Sequence, residues 1–396
     1  IEKYQTATKC SPDFGEAFYN LGLVLSNLGT SPWQPPQLQK AVESFQKATQ
    51  IRRDWADAHF RLGNALEKLL VTGCENQSSD LSPTTSCFQQ AVALKPEHAA
   101  AYRELGVLEG RSGRLLESWG WFKKYYRIVT ERAASHPLGK LGVRFLDPCN
   151  AYAIGHLAQN PECYLKLQHL GWLPRFQTIF LAPPGRVANP WLLEYWRKHL
   201  EVVTDLRRIQ ELLPLARTLS HPAFFVTLPD GRGMHLSPAM SVVQTEWESQ
   251  GLGPLLSLSA MDFERGWKCL EQLGVPKGAW FVSLHVREGG FKREGNSPYN
   301  RHRNSDVETY LKAVETITAR GGWVIRMGEP GMKPMPARPQ LVDYAHSRFK
   351  CDWMEVFLCS QCRFFLCSSG GVFTTPQLFG VPVVGTNWPP AIPSNR

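Results

Sequence analysis

Trp280-Phe-Val-Ser-Leu-His285-Val-Arg287 and Arg363-Phe-Phe-Leu-Cys367-Ser368-Ser369-Gly370-Gly371 decide the reading of this chain. Both are short apolar runs. The first ends in two polar groups and the second breaks into a turn of small residues. Side chains alternate faces along a strand, so His285 and Arg287 project the same way from the end of the first run. Val372 to Phe379 reads as a helix starting on the turn. In an open parallel sheet, ligands sit outside the carboxyl ends of the strands. A helix N-terminus at that edge offers free N–H groups and partial positive charge to an anion. A cation from one strand and a helix N-terminus from another suit a diphosphate.

Working outward, Trp323–Met327 and Val381–Gly385 supply two more strands, with helices at Val307–Arg320 and Asp352–Cys359 between them. Upstream, strands at Val143–Leu146, Thr178–Leu181 and Phe224–Thr227 alternate with helices at His156–Leu170 and Trp191–His199. This alternation predicts parallel sheets. A helix at Asp262–Leu273 and the turn Gly274-Val-Pro276 separate the two α/β units. Two such units in series resemble the twin Rossmann-like domains of the GT-B glycosyltransferases. The expected division is 140–275 for an amino-terminal acceptor domain and 276–396 for a carboxy-terminal nucleotide-sugar donor domain.

Residues 1–135 are repetitive. Leu21-Gly22, Leu62-Gly63 and Leu105-Gly106 recur, each with an aromatic or His three residues before the Leu. Phe45 with Ala48, Phe88 with Ala91 and Phe122 with Tyr125 follow. Glycine at a helix crossing, an aromatic one turn away and a closing proline form the tetratricopeptide pattern. The surplus over its usual 34-residue period falls in the turn-rich stretches Thr30–Gln37 and Thr72–Thr84. Such arrays present a concave face. In the tetratricopeptide-bearing O-GlcNAc transferases an asparagine ladder clamps acceptor polypeptides; the matching positions here are Asn20, Arg61 and Glu104, of which only the first fits that ladder. An array that simply buttresses the next domain is the other reading.

Composition narrows the class. The 396 residues carry a net charge of +9, with the basic residues dispersed and no recognised nucleic-acid motif beside them. No apolar run is long enough to span a bilayer. Ten scattered cysteines read as reduced thiols, which points to a cytoplasmic protein. Cys359-Ser-Gln-Cys362 invites a zinc reading, but no second pair completes a tetrahedral site, and small buried hydrophobes account for it better. Ile1-Glu-Lys-Tyr4 looks like the middle of a helix, so an earlier start is expected. A further helix after Arg396 is expected as well.

Arg287 is the leading donor-binding residue, because a guanidinium offers phosphate two parallel donors that lysine cannot reproduce. Lys292, Arg293, Arg301, His302 and Arg303 follow in a Gly/Asn/Pro-rich loop suited to an anion-binding flap. Arg326-Met-Gly328 ends a strand, and Gly328 lets backbone approach a ligand closely. Asp343-Tyr344 could meet a base or ribose. Ser368, Ser369, Gly370 and Gly371 form the expected phosphate turn. No Asp-x-Asp occurs, which points to charge stabilisation by the protein itself, with no metal ligands and no cofactor.

These stretches also resemble a family as a set. His285-Val-Arg-Glu288, Arg303-Asn304, Gly321-Gly-Trp-Val-Ile-Arg-Met-Gly328, Asp343-Tyr-Ala-His-Ser347, Trp353-Met-Glu-Val-Phe-Leu-Cys359 and Phe364-Phe-Leu-Cys-Ser-Ser-Gly370 are similar to a little-characterised bacterial family. Its members are assigned as glycosyltransferases and often carry tetratricopeptide repeats. The family's Tyr-Arg-Asn and Gly-Thr-Ser-Ser-Gly read His302-Arg303-Asn304 and Leu366-Cys367-Ser368-Ser369-Gly370 here. The resemblance implies a metal-independent transferase moving a sugar from a nucleotide sugar to an acceptor hydroxyl on a protein or glycan. His285-x-Arg287 also resembles the diphosphate motif of GDP-fucose-dependent transferases, which implies a GDP-linked donor. Ile154-Gly155-His156 resembles the Gly-His of many GT-B transferases, whose histidine is the general base; Glu288 is the rival. The alternatives are a binding scaffold with an inactive transferase-like domain, and a lipopolysaccharide or capsule glycosyltransferase.

Overall fold

The computed structural model describes residues 1–28, 35–72, 80–220, 225–231, 233–289 and 303–388. The chain divides into two compact units, Ile1–Ile128 and the described residues from Val129 onward.

The first unit is a run of helices: Glu2–Cys10, Gly15–Leu28, Pro35–Ile51, Ala56–Thr72, Ser82–Leu94, Ala99–Arg111 and the start of Leu115–Ser135. The Leu-Gly pairs have a steric cause. A Cβ on Gly22 would lie 2.7 Å from the Phe45 ring, on Gly63 2.6 Å from Phe88, and on Gly106 2.8 Å from Phe122. Each phenylalanine therefore lies directly on helix backbone, and all three rings are buried. Successive pairs are also stitched by His98, which caps its helix by accepting from Ala101 N and contacts Asp57 Oδ1 at 3.1 Å. At the ladder positions, Asn20 is half-buried, Arg61 lies 5.7 Å over the Phe60 ring, and Glu104 pairs with its neighbour Arg103.

The second unit holds two parallel sheets. β1 (Val143–Leu146), β2 (Gln177–Leu181) and β3 (Glu201–Val203) form the first, in that order. Between β1 and β2 runs the helix Ile154–His169, with Pro161 inside it. Proline has no N–H to give the carbonyl four residues back. That carbonyl, on Leu157, accepts instead from the Trp196 indole at 2.9 Å, so the helix continues without an orphaned group. β4 (Phe225–Thr227) departs from expectation. It pairs antiparallel with β5 (Gly233–His235) and joins neither parallel sheet. Only residues 228–232 separate the two, too few for the dozen or more that a parallel crossover needs.

β6 (Phe281–His285), β7 (Trp323–Met327), β8 (Leu341–Asp343), β9 (Phe365–Cys367) and β10 (Val383–Gly385) make the second sheet, ordered β10-β9-β6-β7-β8 and parallel throughout. Every residue of β6 is buried. Phe281, Ile325, Phe357 and Phe365 cluster in one core, while Val282, Leu284, Val314 and Val324 cluster in another, as a sheet covered on both faces requires. Cys359, Cys362 and Cys367 belong to the first of these cores. Burial pushes the Cys362 thiol up to about 11, so it stays a thiol. Among the described residues no group of three or more His, Cys, Asp or Glu side chains is arranged so that it could hold a metal ion.

Asp343 ends β8. One expectation near the site is corrected. The helix expected over Val372–Phe379 is a 3-10 turn, Gly371–Phe373, followed by the single α-turn Thr374–Gln377. β-Branched Thr374 and Thr375 disfavour helix, and Gly380 at φ 75° ends it. So short a segment gathers little macrodipole, and anion binding there falls to side chains.

Candidate functional site

The chain leaves β6 for β7 and β8 on one side and returns to β9 and β10 on the other, so the strand order reverses between β6 and β9. That switch point is where open α/β sheets bind ligands. Arg287 follows β6 and Ser368-Ser369 follow β9, and hydrogen bonds tie the two ends together. Ser368 N donates to the His285 carbonyl at 3.1 Å, and Arg287 N donates to Ser368 Oγ at 2.8 Å. Arg303 and Asn304 come back to the same point. Arg303 Nε donates to Ser369 Oγ at 3.2 Å, Arg287 Nε to Asn304 Oδ1 at 3.4 Å, and Ser305 N to the Arg287 carbonyl at 2.8 Å. The side-chain acceptors in these two contacts are an amide oxygen and a hydroxyl. Burial and then the nearby charge of Arg303 hold the Arg287 pKa below its ordinary value. Two half-buried cations thus stand within each other's field at the switch point. Lys292, Arg293, Arg301 and His302 lie outside the described residues.

Gly370 is buried and extended, and Gly371 meets the other sheet's first loop. A Cβ on Gly155 would lie 3.1 Å from Gly371 Cα, and one on Gly371 would lie 3.0 Å from Gly155 N. Two glycine backbones in contact bring His156 beside the Ser368–Gly371 turn. His156 is exposed at its edge, yet burial of its surroundings lowers its pKa, and a hydrogen bond with the Cys149 carbonyl pulls the other way. The imidazole is therefore neutral near pH 7.

No family model matches the chain, and no curated protein does. Solved structures similar to it include an E. coli ADP-heptose lipopolysaccharide heptosyltransferase II, 12% identical, covering 61% of this chain and 83% of that one at a TM-score of 0.35. A mutant O-GlcNAc transferase from Thermobaculum terrenum is 14% identical, covering 96% and 77% at 0.33. A crystal structure of MamA is 22% identical, covering 35% and 74% at 0.26.

The other expected donor contacts are placed differently. Arg326 is fully buried, with Nη2 donating to Glu288 Oε2 at 2.8 Å and to the Lys333 carbonyl at 3.0 Å, and Nη1 donating to Asp343 Oδ1 at 3.2 Å. Asp343 Oδ2 also accepts from Met335 N and contacts His346. Glu288 is buried; burial raises its pKa and the Arg326 charge pulls it back. Arg326, Glu288 and Asp343 therefore answer one another below the surface, and Glu288 is not placed as a mobile proton acceptor. Tyr344 is fully buried, its hydroxyl engaged with Phe349 and Cys351 backbone, which leaves it no reach to a base or ribose.

A cavity of about 100 Å³ opens beside the switch point; its walls include His285, Gly328, Glu329, Glu355, Ile154 and Val372. Gly328 has φ 158°, and a Cβ there would meet Met332 Sδ at 2.6 Å. Lys350 Nζ reaches Glu355 Oε1 at 2.8 Å and Glu329 Oε2 at 3.5 Å. Sequence reasoning passed over these three charges. Glu355 reads as an ordinary first-turn acid of its helix, and no spacing links it to Glu329 or Lys350.

His285 also lines this cavity, and it is no cation. Burial first, then the Arg326 charge, take its pKa from 6.5 to about 4. Its folded value is depressed, so its contribution to stability is intact above pH 6.5 and is lost as pH falls towards 4. The loss amounts to about 3 kcal/mol at 1.36 kcal/mol per unit. Urea midpoints at pH 7 and 4.5 should fall more steeply for the wild type than for His285→Gln. Parallel losses in both proteins would show that His285 protonates freely in the fold.

Proposed function

We propose that this chain is a nucleotide-sugar-dependent glycosyltransferase of GT-B type, with residues 1–135 a tetratricopeptide array, 140–275 the acceptor side and 276–396 the donor side. The observation that carries the reading is the meeting of the Arg287 and Arg303 guanidiniums with the Ser368 and Ser369 hydroxyls where the strand order reverses. Guanidiniums give a diphosphate charge-assisted, paired hydrogen bonds. The Ser368–Ser369 hydroxyls complete the cradle, and His156 beside Gly371 would take the proton of an acceptor hydroxyl on a protein or glycan. The protein's own cations would carry the charge on the departing diphosphate. A GDP-linked donor is the first to try.

Thermal-shift and calorimetric titrations with GDP, UDP, ADP and their sugar conjugates test this. At least one nucleoside diphosphate should bind. Arg287→Lys keeps the charge but loses the planar fork, and should weaken that ligand by about 10–150-fold, the equivalent of about 1.5–3 kcal/mol for a hydrogen bond to a charged group. Unchanged affinity in the variant would remove Arg287 from the site. A chain that binds no nucleotide at all would leave the repeats as a binding scaffold.

A further inference from the structure

The acceptor side holds a cation that the diphosphate reading does not use. Arg186 lies in the loop after β2, its guanidinium carbon 4.1 Å from the centroid of the Tyr152 ring in the loop after β1. Ala188 N donates to the Ala151 carbonyl at 2.8 Å and pins the two loops together. Asn189 Nδ2 donates to the Asp352 carbonyl, beyond β8, at 3.1 Å. Ile154 and Ala188 line the cavity beside the switch point, so Tyr152 and Arg186 each stand two residues before its wall. His156 follows four residues after Tyr152. An aromatic face holds a guanidinium in place and leaves its charge intact. Arg186 is exposed, and among the described residues no carboxylate lies within ion-pair distance of it.

The repeats carry the same sign independently. Arg61 and Lys68 are two helical turns apart on Ala56–Thr72, so they share one face, about 10 Å from each other along the axis. Among the described residues neither has a carboxylate within ion-pair distance. Lys68 is half-buried and donates to the neutral Ser26 hydroxyl, on the helix Gly15–Leu28, at 3.2 Å. Glu67 beside it is taken by Arg111 of the helix Ala99–Arg111. Burial and then the Arg61 charge lower the Lys68 pKa, and an anion on this face would oppose both. Arg61 stands where a ladder asparagine would, so the face offers charge in place of an amide.

Resting on the transferase reading above, we propose that the acceptor is an acidic polypeptide. Arg186, held on Tyr152, pairs with a carboxylate beside the accepting hydroxyl, and Arg61 and Lys68 hold carboxylates elsewhere on the same polypeptide. A guanidinium takes a carboxylate through two parallel hydrogen bonds, which fixes orientation as well as charge. Cations in two compact units call for a guest that is charged along its length and extended, as an Asp/Glu-rich disordered segment is.

The test is calorimetry and transfer on the whole chain with three acceptors: a Ser/Thr peptide flanked by Asp and Glu, its Asn/Gln counterpart, and an oligosaccharide of hexuronic acids. The acidic peptide should bind about tenfold or more tighter than its amide counterpart, as hydrogen bonds to charged groups predict. Arg61→Gln combined with Lys68→Gln should bring the acidic peptide down towards the amide one. With whichever nucleotide sugar stabilises the chain, Arg186→Gln should raise the KM for the acidic peptide about tenfold and erase its advantage over the amide peptide. Equal binding and use of the two peptides by the wild type, with nucleotide still bound, would overturn the acidic acceptor and spare the transferase. Preference for the oligosaccharide over both peptides would overturn it too. A preference untouched by Arg186→Gln would strike Arg186 from the acceptor site and overturn the assignment made here. If no nucleotide binds, the transferase reading falls and this one with it. Should a variant not fold, the wild-type comparison of acidic and amide peptides decides alone.

Discussion

Arg326→Met is expected to cost about 3–5 kcal/mol of folding stability, the usual penalty for removing one partner of a buried ion pair. Arg326 is fully buried and answers both Glu288 and Asp343. Its removal leaves the Glu288 carboxylate in the interior with no cation, while the Lys333 carbonyl loses a donor too. The fold pushes back by protonating Glu288, whose pKa burial already raises. The damage should therefore shrink as pH is lowered towards that raised pKa. Adding Glu288→Gln should recover part of the loss, because a neutral amide costs less to bury than an unpaired carboxylate. Denaturant midpoints of the single and double variants measure this directly. A loss below about 1 kcal/mol in Arg326→Met, the range of exposed pairs, would mean that water reaches the cluster.

The same cluster shows where sequence reading stopped. Arg326 at a strand end looks like a cation presented to a ligand. Its partners lie 38 and 17 residues away, at a range where only the fold reveals pairing. Burial of the same kind withdrew Tyr344. By contrast, β6 and β7 were legible because strands covered on both faces are written as unbroken apolar runs. The repeats were legible because a phenylalanine that lies on helix backbone forces glycine opposite it, beside the same leucine each time. β8 was missed: it is three residues long and enters from Pro339 and Gln340, the latter at φ 57°, so it reads as a turn. The short segment after Gly371 went wrong for an opposite reason, since eight residues bounded by glycines suggest a helix that the two threonines do not sustain. Arg287, Ser368 and Ser369 come together, as their strand-end positions suggested, and Arg303 and Asn304, from the expected basic loop, meet them. Glu355 gave no signal, because a cavity wall has no sequence period.

His156→Ala carries the largest kinetic effect expected. An acceptor hydroxyl is a poor nucleophile until its proton is taken, and a positioned general base contributes about 10²–10⁴-fold. Gly155 and Gly371 meet backbone to backbone, so a side chain at either would drive His156 away from the Ser368–Gly371 turn. The His156 pKa is held below 6.5, which keeps the ring unprotonated at neutral pH and ready to accept. Turnover, read as nucleoside diphosphate release from whichever nucleotide sugar stabilises the chain, should fall by about 10²–10⁴ in kcat. Donor affinity should stay near that of the wild type, because in the proposed reading His156 serves the acceptor and not the diphosphate. The wild-type rate should drop on the acid side only below pH 6.5, since a depressed pKa moves that limb down. That limb should vanish from the residual activity of the variant. Full turnover in His156→Ala, beside a folded but inactive Glu288→Gln, would place the base on the donor side and require Glu288 to leave Arg326 when substrate binds.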